Sequence, residues 1–127
     1  MKDLKPERLH YSQSLKESLE KAVALLSRLN EVEKVSLVGS FSRGQADLFT
    51  DLDIVVIMKT DRGMLERLRT LYPMLNLPVD YDLFCYTPHE IKECRNRPFF
   101  KRLMSNEVVL YEKKRSRRRI EMAESGL

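Results

Sequence analysis

The segment that most constrains the fold is the run of residues 39–56, GSFSRGQADLFTDLDIVV, which lies between two apolar stretches. The first stretch, residues 35–38, ends at a glycine, and the second, residues 54–58, follows a pair of aspartates. Short β-branched runs bounded by turn residues are typical of buried strands. The sequence therefore predicts a strand, a tight turn and a second strand in close succession.

The turn between these strands has the composition of an anion site. Gly39 allows the backbone to turn without a Cβ penalty and allows a ligand to approach the main chain closely. Ser40 is a favourable N-cap for a short helix over about residues 41–47. Free backbone N–H groups at such a helix start, together with the helix dipole, attract phosphate. Arg43 adds a positive charge about one turn further on.

Asp51 and Asp53 open the second strand. Side chains two residues apart on a strand point to the same face, so we expect the two carboxylates to converge. Paired carboxylates repel each other unless protons or cations compensate their charge. Mg²⁺ prefers oxygen ligands and also binds phosphates. The turn and the aspartates together predict a metal-assisted phosphate site, although either feature alone is also found in ordinary turns and strand starts.

The rest of the chain supplies further elements through its apolar periodicity. Spacings of three and four residues predict a helix over residues 6–30, and a second helix from Met64 that Pro73 ends. Alternation predicts a strand over residues 79–86. The apolar run within residues 107–111 predicts a last, buried strand.

Two further segments complete the predicted architecture. Thr87, Pro88 and Glu90 have the spacing of a helix capping box. Cys85 and Cys94 form no CxxC or zinc-ligand pattern, so we interpret both as reduced packing residues. The order of elements predicts an α/β (α+β) fold with a mixed sheet of about four strands flanked by helices.

The 127 residues suffice for one domain, which we place at residues 1–111, with its core over residues 34–111. Residues 112–127 form a basic tail. From residue 113 onward it has six basic and two acidic residues, and its net charge equals the +4 of the whole chain. Such a run makes weak, salt-dependent contacts with nucleic acid, or serves only as a solvated tail. No apolar run is long enough to span a membrane, so we expect a cytoplasmic protein.

The central motif resembles a known signature. Gly39-Ser40, followed after ten residues by Asp51-Leu52-Asp53, is similar to the GS…DxD signature of the DNA polymerase β-like nucleotidyltransferases, and most of all to the minimal nucleotidyltransferases. The resemblance covers about residues 34–111. It implies a third carboxylate on a later strand, which Asp80 supplies. Asp82, on the same face of that strand, is the rival candidate.

The resemblance also implies an activity. Asp51, Asp53 and Asp80 would bind two Mg²⁺ ions, for which Mn²⁺ can substitute, and Gly39, Ser40 and Arg43 would bind the phosphates of ATP or another NTP. The expected reaction transfers a nucleotide, with AMP from ATP as the expected case, to a hydroxyl on a protein, an RNA or a small molecule.

The family context indicates partners as well. Minimal members pair with helical HEPN-type proteins as antitoxin to toxin, and homo-oligomers are also compatible with the sequence. The alternative to an enzyme is a nucleotide- or partner-binding module with little turnover. The presence of all the required carboxylates favours the enzyme.

Overall fold

A computed structural model describes residues 5–44 and 50–114 of the chain. The secondary-structure elements in this part of the chain are α1 (Lys5–Leu26), β1 (Val32–Val38), α2 (Gly39–Ser42), β2 (Leu52–Met58), α3 (Met64–Leu75), β3 (Tyr81–Tyr86), α4 (Pro88–Cys94), α5 (Pro98–Met104) and β4 (Val108–Glu112). The predicted basic tail beyond Lys114, and the predicted helical residues 45–47, lie outside the described residues.

The four strands form one mixed sheet in the order β3-β2-β1-β4. Strand β1 is antiparallel to both β2 and β4, whereas β3 runs parallel to β2. The predicted class, a mixed four-stranded sheet flanked by helices, is confirmed. This topology brings the end of β1 and the starts of β2 and β3 together at one end of the sheet.

Helices α1 and α3 pack on one face of the sheet and form the core with it. Core side chains include Leu15, Ala22 and Leu26 of α1, Val35 and Leu37 of β1, Ile54 and Val56 of β2, Leu71 and Leu75 of α3, and Leu83 and Cys85 of β3. Side chains alternate along a strand, so the intervening residues of β1, β2 and β3 point to the opposite face, called here the second face. The first helix thus covers the sheet with its apolar side chains, as its periodicity predicts.

Two predicted helix boundaries are wrong. Helix α1 ends at Leu26 rather than at residue 30, because the chain tightens into i→i+3 turns, with Leu29 N–H donating to the Leu26 carbonyl at 3.1 Å. Helix α3 continues through Pro73 to Leu75 and ends at Asn76, which is left-handed with φ 42°. Pro73 lies near the end of the helix on its exposed side, so solvent can satisfy the carbonyl that loses its donor.

The strand predictions need three corrections. Strand β1 begins at Val32, earlier than predicted, and β3 begins at Tyr81 rather than at residue 79. Strand β4 is not buried, since Val108 and Val109 are 42% and 46% exposed. It lies at an edge of the sheet, where an apolar strand has a neighbour on one side only. Hydrophobicity alone does not report that position.

Helix α4 is anchored as predicted and is also held by a buried arginine. Thr87 and Glu90 form the complete capping box. Arg67 of α3 is only 4% exposed, and its guanidinium donates to both carboxylate oxygens of Glu90, at 2.7 and 3.2 Å. It also donates to the main-chain carbonyls of Cys85 and Arg62. Arg67 therefore joins α3, β3 and α4.

The two cysteines are free, with Cys85 buried and Cys94 half-buried. Burial raises the pKa of the Cys85 thiol to about 11, although nearby Arg67 lowers it. Cys85 thus stays protonated and packs as an apolar side chain. Among the described residues, no helix combines the length and the apolar character needed to cross a membrane.

Replacing Arg67 with Met should lower the free energy of unfolding by about 3 kcal/mol, because Glu90 and a buried carbonyl lose their donor. Urea unfolding measures the loss, and Arg69→Met, an exposed position on the same helix, is the control. The hydrogen bond from Arg67 lowers the pKa of Glu90 below its ordinary 4.5. The stability that this ionised pair contributes is therefore fully present above that pH and is lost in stronger acid. Equal losses in the two variants would contradict the prediction.

Candidate functional site

The end of the sheet where β1 stops and β2 and β3 start brings the central motif together. Val38, the last residue of β1, pairs with Asp53 of β2, and Asp53 pairs with Asp82 of β3. Paired residues on neighbouring strands point to the same face, and here the side chains lie on the second face, away from the core. Gly39 follows Val38 directly. The motif thus forms a row across three adjacent strands.

Gly39 and Asp53 are in close contact. Gly39 has φ 78°, a left-handed conformation that disfavours side chains. A Cβ at this position would lie 2.2 Å from the Asp53 Oδ2 atom and 3.1 Å from its Cγ. No side chain fits there while Asp53 keeps its position. Glycine is therefore required at residue 39 both by the backbone and by the carboxylate beside it.

The Asp53 carboxylate is in an unfavourable electrostatic environment. Partial burial raises the pKa of Asp53 above its ordinary value, and the neighbouring carboxylates of Asp82 and then Asp51 raise it further. Each of these effects disfavours the ionised form. A cation bound among these oxygens would reverse the balance, since it favours the charged state of all three groups.

Asp51 and Asp80 lie just outside the strands. Both are exposed, and each immediately precedes the first residue of its strand. The Leu52 N–H donates to the Asp80 carbonyl at 3.1 Å, which starts the parallel pairing of β2 and β3. Of the two candidates for the third carboxylate, Asp82 is the one in register with Asp53.

The residues predicted to bind phosphate are near this row but are arranged differently from the prediction. Helix α2 begins at Gly39 itself, with Val38 as its N-cap residue and no side-chain cap, so Ser40 is not the N-cap. Ser42 instead donates from Oγ to the Gly39 carbonyl. Arg43 follows the helix, is exposed, and donates from its N–H to the Ser40 carbonyl at 3.1 Å. The N-cap residue Val38 has an apolar side chain, which cannot accept a hydrogen bond from the first turn.

The donor set of this site suits Mg²⁺. Asp51, Asp53 and Asp82 offer only carboxylate oxygens, the ligands that hard divalent cations prefer. Partial burial is the main cause of the raised pKa of Asp53, and the charges of Asp82 and Asp51 add to it, so a bound cation would favour the ionised carboxylate. Within residues 5–44 and 50–114, no three acidic, histidine or cysteine side chains are grouped closely enough to hold a metal ion as they stand. The fit therefore rests on the donor chemistry and on the charge at Asp53.

Comparison with known proteins identifies the family. The profile of the nucleotidyltransferase domain matches residues 19–124. The chain belongs to this nucleotidyltransferase domain family. The nucleotidyltransferase membership that the GS…DxD signature indicates is thereby confirmed. No curated protein matches the nucleotidyltransferase chain significantly in sequence.

Solved structures share the fold of this nucleotidyltransferase. A proposed nucleotidyltransferase from Sulfolobus solfataricus aligns with a TM-score of 0.54 at 17% identity, over 91% of this chain and 92% of that chain. A proposed minimal nucleotidyltransferase aligns with a TM-score of 0.52 at 22% identity, over 78% and 95% of the two chains. A mutant of the toxin–antitoxin pair MntA–HpeT aligns with a TM-score of 0.50 at 18% identity, over 86% and 89%.

Sequence reasoning missed two features of the nucleotidyltransferase site. The first is the contact of Gly39 with Asp53, because a glycine before a turn signals backbone freedom but not the neighbour that requires it. The second is a hydrogen bond from the Tyr11 hydroxyl to the Thr50 carbonyl, at 2.9 Å across 39 residues of sequence. Neither leaves a local signal in the sequence.

Replacing Asp53 with Asn should stabilise the metal-free protein at neutral pH. Because the folded-state pKa of Asp53 is raised, its ionisation destabilises the fold. The advantage of the variant should be absent in acid below the ordinary pKa of 3.8 and should grow as the pH rises through the folded value. Urea unfolding across this pH range measures the effect.

When Mg²⁺ is present, the wild type should instead be more stable than Asp53→Asn. At free Mg²⁺ a hundredfold above Kd, the wild type should gain about 2.7 kcal/mol and Asp53→Asn little. Asp61→Asn, an exposed aspartate in the β2–α3 turn, is the matched control and should behave as the wild type. A metal-free Asp53→Asn protein that is less stable than the wild type at neutral pH would contradict the electrostatic analysis.

Replacing Gly39 with Ala should displace the Asp53 carboxylate and weaken divalent-cation binding. Gly44 is the matched control, since it has the same φ of 78°, and a Cβ placed on it would have no atom of the described residues within 4 Å. Both alanine variants should lose about 1 kcal/mol of stability to the left-handed backbone. Only Gly39→Ala should also lose affinity for Mn²⁺, measured by electron paramagnetic resonance. Equal Mn²⁺ affinities in the two variants would show that the contact is unimportant.

Proposed function

We propose that this domain is a Mg²⁺-dependent nucleotidyltransferase that transfers AMP from ATP to a hydroxyl group of a partner protein. The observation that carries the proposal is the row of Gly39, Asp53 and Asp82 across three strands, with a half-buried carboxylate whose raised pKa calls for a cation. Family membership supports nucleotidyl transfer in general. Sharing a fold with one chain of a toxin–antitoxin pair supports a protein partner, and a helical HEPN-type protein is the first candidate.

The cation ligands in this proposal are Asp51, Asp53 and a third carboxylate. The register with Asp53 supports Asp82 in the third role, whereas Asp80 lies before the strand and contributes its carbonyl to the sheet. Mg²⁺ held by these oxygens, as two ions in the two-metal form of the reaction, would neutralise the triphosphate and lower the pKa of the acceptor hydroxyl.

The main chain and the basic side chain have complementary roles. Gly39 and Ser40 follow the end of β1, and their N–H groups are suited to donate to the phosphate oxygens. Arg43 is exposed and can reach a bound phosphate with its flexible, permanently charged side chain. These groups hold the triphosphate so that the acceptor oxygen can approach the α-phosphorus in line with the leaving pyrophosphate.

The chemical step then requires one proton acceptor. The acceptor oxygen forms a bond to the α-phosphorus, the bond between that phosphorus and the bridging oxygen of pyrophosphate breaks, and the hydroxyl proton leaves. A free oxygen of Asp82 is suited to accept the proton, because Asp82 is exposed and lies beside Asp53. Developing charge on the phosphoryl oxygens would be stabilised by the N–H groups of Gly39 and Ser40.

Incubation with ATP labelled at the α-phosphate, Mg²⁺ and lysate of the source organism should place label on a discrete macromolecule. The double variant Asp51→Asn with Asp53→Asn should give none. Asp82→Asn should lower the rate by at least about a hundredfold, the scale of losing a general base, while Asp80→Asn should stay within a few-fold of the wild type. Protease and ribonuclease treatment of the labelled product identifies the acceptor class.

Each outcome has a definite meaning. Label that ribonuclease removes would identify RNA as the acceptor, and label on a small molecule would overturn the protein partner. Mg²⁺-dependent ATP binding without any transfer would support a nucleotide-binding module in place of an enzyme. A larger loss in Asp80→Asn than in Asp82→Asn would assign the third carboxylate to Asp80.

A further inference from the structure

A tyrosine of helix α1 contacts the segment that carries Asp51. The Tyr11 hydroxyl donates to the Thr50 carbonyl at 2.9 Å. Thr50 is 6% exposed and directly precedes Asp51 in the chain. The bond spans 39 residues of sequence, so it is a tertiary contact and not a feature of a local turn.

The position of this bond relative to the strand is what makes it informative. Asp51 precedes β2 and so is not fixed by strand pairing. The main chain on either side of it is nevertheless held. Tyr11 binds the Thr50 carbonyl, and the Leu52 N–H donates to the Asp80 carbonyl at 3.1 Å. These two attachments constrain the main chain from which Asp51 presents its carboxylate.

Tyr11 is well placed to act as a fixed donor. Its ring packs against the hydrophobic core, and Leu15, one turn later on the same face of α1, is fully buried. A tyrosine ring has few rotatable bonds, so a packed ring holds its hydroxyl in a narrow range of positions. The packing of Tyr11 on the core therefore helps to fix the position of the Thr50 carbonyl.

We propose that Tyr11 is a positioning residue for the cation site, acting through the Thr50 main chain on Asp51. This inference rests on the proposed function, because it takes Asp51 to be a cation ligand. Groups that orient metal ligands from the outer shell typically change metal affinity ten- to a hundredfold when they are removed. If the hydrogen bond were only structural, its loss would lower the free energy of unfolding and leave the metal affinity unchanged.

The test uses Mn²⁺ as the probe, with binding to the full chain followed by electron paramagnetic resonance in the absence of nucleotide. Tyr11→Phe removes the hydroxyl and keeps the ring, and we expect Mn²⁺ to bind about tenfold more weakly. In an Asp51→Asn background the same change should cause no further loss, because the ligand through which Tyr11 acts is gone.

Tyr81→Phe is the matched control. Its hydroxyl also donates to a main-chain carbonyl, that of Tyr72 at 3.1 Å, but from the core face of β3, opposite the carboxylates. Both phenylalanine variants should lose about 1 kcal/mol in urea unfolding. Only Tyr11→Phe should lose Mn²⁺ affinity.

The outcomes separate this inference from the proposed function. If Asp51→Asn weakens Mn²⁺ binding but Tyr11→Phe does not, the positioning role is wrong and the metal assignment stands. If Tyr11→Phe and Tyr81→Phe weaken binding equally, general loosening explains the effect and the inference is again wrong. If Asp51→Asn itself leaves Mn²⁺ affinity unchanged, the metal assignment fails, and the role of Tyr11 fails with it.

Discussion

The structure depends on the proximity of two carboxylates, those of Asp53 and Asp82, which is electrostatically unfavourable by itself. Asp53 is part of a strand whose neighbouring residues Leu52 and Ile54 are fully buried, so its main chain is fixed in the sheet. Asp82 is fixed beside it by the parallel register. The fold thereby holds two carboxylates together at the end of the sheet, where partial burial, and then the charge of Asp82, raise the pKa of Asp53. In the proposed function, a bound cation would stabilise the ionised form of these carboxylates.

The strand order explains why the remaining parts meet at that point. An antiparallel β1 ends where β2 begins, and a parallel β3 begins there too. The turn at Gly39 and the carboxylates of Asp53 and Asp82 are therefore adjacent in space, although 43 positions separate the first from the last in the sequence. A purely antiparallel meander would have put the start of β3 at the opposite end of the sheet. The long connection through α3 makes the parallel arrangement accessible.

Much of this could be predicted from local pattern, and the exceptions share a cause. The residues around Gly39, Asp51 and Asp53 predicted the strand, turn and strand that carry them, and period-two alternation correctly put Asp82 on the face opposite the buried side chains of β3. The exposure of β4 and the continuation of α3 through Pro73 were not predicted. Both features depend on what packs beside the strand or helix in the fold. The periodicity of apolar residues in the sequence carries no information about that. The same limit left both Asp80 and Asp82 as candidates for the third carboxylate, since the register that pairs Asp82 with Asp53 cannot be predicted from the sequence.

The two aspartates of the central motif are physically inequivalent, although they are one residue apart. Asp53 is held by strand pairing, is partly buried and contacts Gly39, so its charge is coupled to the stability of the fold. Asp51 is exposed and precedes the strand, so strand pairing does not fix it, and the Tyr11 bond to Thr50 holds the main chain beside it. In the proposed cation site, Asp53 is the ligand that the sheet fixes, and Asp51 is the ligand that α1 positions through Tyr11. The core thus acts on the proposed site through Asp53 directly and through Asp51 by way of helix α1.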